Sequence, residues 1–219
     1  MTDIPYTVAR TKRKGYGIVI KDGAVTVRVP LRATDKQIAD IVGQKSRWIA
    51  AKLEQQSKLK RRFEPLINFR AVLLGGKFYG ISYGQTKAPV IQDNVIIFHD
   101  KHQNNPKALI RAIRQFSTNF AAEYINAFLE HTRAFHPFSL NNARTKWGSC
   151  TSDNRLSFNW RIACLPPELA DYIIIHELCH TRHHNHSKAF WDEVARHIPD
   201  WRLLRNQLKE YARLTELYR

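Results

Sequence analysis

His176-Glu177-Leu178-Cys179-His180 sets two imidazoles four residues apart, with a carboxylate beside the first. Residues four apart on an α-helix share a face, so both rings can reach one ion from adjacent turns. Zinc held there would lower the pKa of a bound water toward neutrality, and Glu177 is placed to take the proton. This is the H-E-x-x-H arrangement, and the chemistry it suggests is hydrolysis. Two core histidines with Glu177 as hydrogen-bond partner are the bland alternative.

A catalytic zinc keeps three protein ligands and leaves a fourth position open. Three further histidines follow, His183, His184 and His186. His186 stands six residues after His180, giving H-E-x-x-H-x-x-x-x-x-H, and is the expected third ligand. Metzincins have that interval with a glycine midway. Here His183 occupies the midpoint, so the turn is assigned to Asn185, which tolerates left-handed backbone geometry. His183 and His184 fit a solvated helix end, where imidazole suits the C-terminal dipole. Glu193 is the rival third ligand, although Asp192 and Glu193 also fit a helix surface.

The elements that must position these groups are readable around the motif. Asp171-Tyr172-Ile173-Ile174-Ile175 is almost wholly apolar and follows Pro166-Pro167-Glu168, a helix start with proline in the first turn and acid close behind. The motif therefore lies in a buried helix, where unsatisfied imidazoles and a carboxylate are costly and a metal ion would satisfy them.

Four blocks carry a family resemblance: Arg144-Thr145-Lys146-Trp147-Gly148-Ser149-Cys150, Leu156-Ser157-Phe158-Asn159-Trp160, Asp171 through His180, and His186-Ser187-Lys188-Ala189-Phe190-Trp191. In order and spacing they resemble the YgjP-like metallopeptidase-domain family, itself distantly similar to the SprT and WLM-type zincins. Lys45-Ser46-Arg47-Trp48-Ile49 and Leu74-Gly75-Gly76-Lys77-Phe78-Tyr79 resemble that family's N-terminal region less specifically. The resemblance implies a metal-dependent hydrolase with zinc on His176, His180 and His186 and the general base on Glu177. It leaves two substrates open, since some such proteins are described as nucleoside-triphosphate pyrophosphatases.

The chain has 219 residues, a formal net charge of +16 and a sequence pI near 10.0. Such a field attracts polyanions, so a non-specific anionic partner such as nucleic acid is expected beside a polypeptide or nucleotide substrate. Basic residues gather at Arg10-Thr11-Lys12-Arg13-Lys14, at Lys58-Leu59-Lys60-Arg61-Arg62, and along Arg202, Arg205, Lys209 and Arg213. Taken singly, each cluster reads as a solvated face. No apolar run approaches the roughly 20 residues that span a bilayer. With no membrane span, no secretory signal at Met1-Thr2-Asp3-Ile4-Pro5 and three unpaired cysteines (Cys150, Cys164, Cys179), a cytoplasmic location is expected. Cys150 and Cys179 are assigned to packing. Nothing in the sequence sets an oligomeric state.

The expected fold class is α+β, a zincin-like metallohydrolase core over 101–219 behind an N-terminal β-rich lobe with one helix over 1–100. Asp22-Gly23 reads as a hairpin turn between Gly15–Ile20 and Ala24–Val29. Thr34-Asp35 caps a helix carrying Ile38, Ile41, Val42, Trp48, Ile49 and Leu53, which ends in a basic tail near Arg62. Strands return at 71–74, 78–83 and 95–98. A long helix follows from Pro106, striped by Leu109, Ile110, Ile113, Phe116, Phe120, Tyr124, Ile125 and Phe128. Two or three strands occupy 138–163, with a turn at Asp153-Asn154. A further helix begins near Ser187. The last, from Asp200-Trp201 to Tyr218, turns Leu203, Leu204, Leu208 and Leu214 inward.

Arg144 and Lys146 are candidate electrophiles for a developing oxyanion or else structural cations. Asn159 is either a group orienting a ligand or an ordinary strand polar residue. Trp147 and Trp191 are assigned to framing the metal helix. Three functions compete: a zinc peptidase, a metal-dependent nucleoside-triphosphate pyrophosphatase, and a structural-zinc binding module for nucleic acid or protein. The last fits least, because structural sites close with four protein ligands and would leave Glu177 idle.

Overall fold

A computed structural model describes residues 4–134 and 136–216. The fold is mixed α and β, with five α-helices and three small sheets among the described residues. The chain divides into two compact units, residues 1–64 and 65–219. The division falls where Pro65 removes a backbone donor from a long helix. No described helix is long and apolar enough to cross a membrane.

In the first unit, β2 (Gly17–Lys21) and β3 (Ala24–Pro30) form an antiparallel hairpin with Lys21 opposite Ala24. The two-residue turn needs left-handed backbone at both positions, and Asp22 (φ 51°) and Gly23 (φ 81°) supply it. Strand β1 (Thr7–Thr11) joins the other side of β3 in parallel, so part of the first basic cluster lies on an edge strand. Helix α1 runs Asp35–Ile67. It opens with a reciprocal capping box, the Gln37 amide N–H donating to Thr34 Oγ1 (3.3 Å) and the Thr34 N–H to Gln37 Oε1 (2.9 Å). Val25, Val27 and Val29 point from one face of β3 onto Ile38, Val42 and Ile49, which repeat at helical spacing. The basic run Lys58–Arg62 is not a tail: it continues the helix, which ends beyond it where Phe69 turns left-handed (φ 52°).

In the second unit, β4 (Ala71–Leu74), β5 (Lys77–Gly84), β6 (Val90–Gln92) and β7 (Val95–His99) form a sheet in the order β4-β5-β7-β6. The turn between β4 and β5 is bonded to the segment that leads into the metal-motif helix: Gly75 N–H donates to Ala163 O (2.7 Å) and Gly76 N–H to Cys164 O (3.3 Å). Gly76 has φ +77°, and a Cβ there would lie 2.9 Å from Pro166 Cγ. Helix α2 (Pro106–His131) starts at Asn105, whose side chain accepts from the Ala108 N–H. Its fully buried stripe is Leu109, Ile113, Ser117, Ala121, Ile125 and Leu129, while the expected aromatics Phe116, Phe120, Tyr124 and Phe128 flank it half-buried.

A second sheet and the helices after it carry the site. The sheet has the order β8-β10-β9, with β8 (Phe138–Asn141) parallel and β9 (Gly148–Cys150) antiparallel to β10 (Leu156–Asn159). Asn154 takes φ 62° at the expected turn. A 3-10 segment, Trp160–Cys164, then leads into α3 (Pro167–His180). Helix α4 (Lys188–His197) comes after its Ser187 cap, then α5 (Trp201–Gln207) and a 3-10 stretch, Leu208–Glu216. Helix α3 packs against β9, α4 and α5. The single amphipathic helix expected from Trp201 is therefore split in two. Leu203 is exposed rather than inward, whereas Leu204 and Leu208 are half-buried and Leu214 is buried. Tyr218 lies outside the described residues.

Candidate metal centre

Helix α3 begins with prolines at its cap and first turn and buries Leu169, Ala170, Tyr172, Ile173 and Ile174. Each large side chain gains about 1.5–3 kcal/mol by burial, enough to hold polar groups at the helix's far end. There His176 and His180 project together, and His186 reaches back to them: one ring nitrogen from each lies within 4.8 Å of the others. His176 Nε2 and His186 Nε2 are 3.2 Å apart. Tetrahedral zinc with Zn–N bonds of 2.0–2.1 Å sets its nitrogens about 3.3 Å apart, so this pair already has the required separation.

Protonation states agree with ligation. Burial first, then the charges of His180, His186 and Arg205, lower the His176 pKa to about 3. His186 is lowered from its ordinary value by burial, His180 and Arg205. Both are neutral near pH 7, as metal ligands must be. His180 Nδ1 lies 2.8 Å from the His183 carbonyl, which accepts its proton and leaves Nε2 free to bind a metal. His183 thus serves through its backbone. His176 Nδ1 is buried and without a hydrogen-bond partner among the described residues. Three imidazole nitrogens converging beside a buried, unpartnered polar atom form a donor set that a cation at the centre would satisfy.

Phe190, fully buried on α4, supports all three rings: its centroid lies 4.3 Å from His180 in a stacked arrangement and 4.9 Å from both His176 and His186. The chain from His180 to His186 turns without left-handed backbone. Asn185 is not among the described positive-φ residues, contrary to the sequence expectation. Instead Thr181 Oγ1 donates to Leu178 O (2.7 Å), His183 N–H bonds to Cys179 O, and Asn185 Oδ1 accepts from Ser187 N–H (3.1 Å). Side chains close the turn, so no midway glycine is needed.

Glu177 is buried, 7% exposed, and burial lifts its carboxyl from 4.5 to about 7 against the opposing pull of Lys146. The carboxylate lies on Gly148 at the start of β9, where a Cβ would stand 2.6 Å from Glu177 Cγ and 2.8 Å from Oε1. That contact explains the Trp147-Gly148 pair. Asn159, fully buried at the end of β10, fastens the loop before Gly148: its Nδ2 donates to Ala143 O (2.7 Å) and Lys146 O (3.1 Å), and its N–H to Trp147 O (2.7 Å). It acts on the loop and not on a metal ligand.

His176, Glu177 and His186 line a cleft of about 270 Å3 together with Lys146, Trp147 and Arg205. Arg144 is exposed and is not part of that lining. Glu193 does not join the histidine group. It is buried on α4 and bonded to Arg182 (3.0 Å) and Arg196 (2.8 Å), and although burial pushes its carboxyl up, its cationic partners hold it below the ordinary value. Asp192 pairs with Lys188 at the surface. Cys150, Cys164 and Cys179 are free thiols outside the histidine group; burial raises all three, so none is a thiolate near neutral pH. Trp191 stacks on His186 (5.4 Å, 27°). Arg205 is the lining residue that sequence reasoning left among solvated charges; only the packing of α5 on α3 brings it to the cleft.

No curated protein and no solved structure matches the chain. The family model described as YgjP-like, metallopeptidase domain, matches residues 14–211, nearly the whole sequence, and the chain belongs to that family.

Proposed function

We propose that the protein is a zinc-dependent peptidase of the cytoplasm, with His176, His180 and His186 as metal ligands and Glu177 as general base. The observation that carries this reading is the convergence of three imidazoles beside a buried carboxylate. Three nitrogen ligands suit zinc, and when bound it supplies a Lewis acid that polarises a substrate oxygen and lowers the pKa of water. Glu177, with a pKa near 7, exchanges a proton at neutral pH with little free-energy cost in either direction. Gly148 leaves room for that carboxylate beside the cleft. Lys146, exposed on the same lining, favours the ionised form of Glu177 and can face a developing oxyanion. The three free thiols suit a reducing compartment.

A polypeptide substrate is favoured over a nucleotide by β9. It is the terminal strand of its sheet and begins at Gly148, against Glu177, so an extended chain adding to that edge would pass the carboxylate. Zinc-loaded wild type and Glu177→Gln should be compared on an unfolded protein and on nucleoside triphosphates. The expected result is proteolysis by wild type and none by the variant. Hydrolysis of the triphosphates alone would replace the peptidase reading with the pyrophosphatase one.

A further inference from the structure

Arg202, Arg205, Asn206 and Lys209 recur at intervals of three and four, which aligns them along one face of α5 and its 3-10 continuation. With Trp201 they line a groove of about 500 Å3. Arg205 also lines the cleft that holds His176, Glu177 and His186, so groove and cleft meet at its side chain. Both arginines are exposed, and neither pairs with a carboxylate among the described residues. They are held by aromatic faces instead. Arg205 Cζ lies 5.1 Å from the Trp191 ring and Arg202 Cζ 4.5 Å from the Trp201 ring, and the two indoles stack 4.0 Å apart at 13°. A guanidinium resting on indole is positioned without being neutralised. Lys209 is anchored through Asn206 Oδ1 (3.1 Å). Across the cleft, Lys146 adds a further cation.

We propose that this face is a substrate subsite for acidic side chains: a peptide seated at the cleft runs on past Arg205 to Arg202 and Lys209 and carries Asp or Glu there. Seven helical residues cover about 10 Å, the length of about three residues of extended chain, so the row matches several side chains of one strand. The proposal rests on the peptidase reading, because the edge of β9 is what favours a polypeptide at the cleft.

Binding separates the two claims. Glu177→Gln protein is titrated into a labelled glutamate-containing peptide and into its glutamine and lysine counterparts, followed by fluorescence anisotropy. The glutamate peptide should bind about tenfold tighter than the glutamine peptide at low salt, and the lysine peptide most weakly. The preference should fall to about twofold or less when Arg202→Gln and Arg205→Gln are added, survive Arg202→Lys with Arg205→Lys, and shrink in about 0.3 M salt. Thermal unfolding checks that each variant folds. Equal binding of the three peptides, or a preference that outlasts both glutamine substitutions, overturns the proposal. So does arginine-dependent binding of inorganic triphosphate with no discrimination among the peptides. If the acidic preference holds but wild type cuts no peptide, the subsite stands and the peptidase reading falls; cleavage without charge preference gives the reverse.

Discussion

Replacing Glu177 by glutamine is expected to stabilise the metal-free protein in a pH-dependent way. The unfolded carboxyl ionises at its ordinary value of 4.5, whereas the buried one keeps its proton to about 7. Between those values the folded state binds more protons, so stability falls as pH rises through that window. The favourable contribution is intact below 4.5 and fully lost above 7. At 1.36 kcal/mol per pH unit the interval corresponds to about 3 kcal/mol as an upper limit. For a domain of about 150–250 residues each kcal/mol moves Tm by about 2–4 °C, giving at most about 6–12 °C. Glutamine does not titrate, and the cost of burying its amide is the same at every pH. The assay is thermal unfolding of chelator-treated wild type and Glu177→Gln at about pH 5 and about pH 8. The variant's advantage should grow by several degrees on going to the higher pH. An advantage equal at both, or a wild type whose Tm does not fall relative to the variant, would refute the assignment of a buried, proton-holding carboxyl.

Gly148→Ala should displace Glu177 or the start of β9, since the new Cβ falls 2.6 Å from Glu177 Cγ; a loss of about 1–3 kcal/mol and of hydrolysis is expected from denaturant unfolding and the protein-substrate assay. Gly76→Ala combines a left-handed backbone with a Cβ 2.9 Å from Pro166 Cγ, and should cost about 1–3 kcal/mol by the same unfolding measurement. Asp171, whose carboxyl is raised by burial and pulled back by its 2.6 Å bond from the Tyr124 hydroxyl, penalises the fold as it ionises. Asp171→Asn should therefore flatten the decline in Tm from acid to neutral pH, while Tyr124→Phe should steepen it.

The parts of this molecule that sequence made legible are those encoded by short-range periodicity and by turn chemistry. Asp22-Gly23, the Thr34 cap, the start of α2 and the Pro167 entry to α3 each depend on neighbours within a few residues, and they stand where the sequence put them. The histidine group was legible for the same reason: His176 and His180 share a helix face, and His186 is only six residues on. What distant packing decides was hidden. Gly148 against Glu177, Asn159 fastening the 143–147 loop and Arg205 entering the cleft are contacts between separate elements, and Phe190, though near the histidines in sequence, reads as an ordinary core aromatic until the fold of α4 onto α3 sets it under the three rings. Asn185 illustrates a wrong mechanism for a right turn, since side-chain hydrogen bonds replaced the left-handed residue. The basic run at 58–62 misled because charge looks alike on a tail and on a helix surface.

The central claim is that three histidines form one metal site, and metal stoichiometry tests it most directly. Protein equilibrated with a slight excess of zinc, freed of unbound ion and examined by native mass spectrometry should carry about one zinc per chain. His176→Ala, His180→Ala and His186→Ala should each lose it or hold it far more weakly while remaining folded. A folded wild type that retains no zinc, or a His186→Ala variant that binds zinc as tightly as wild type, would contradict the account.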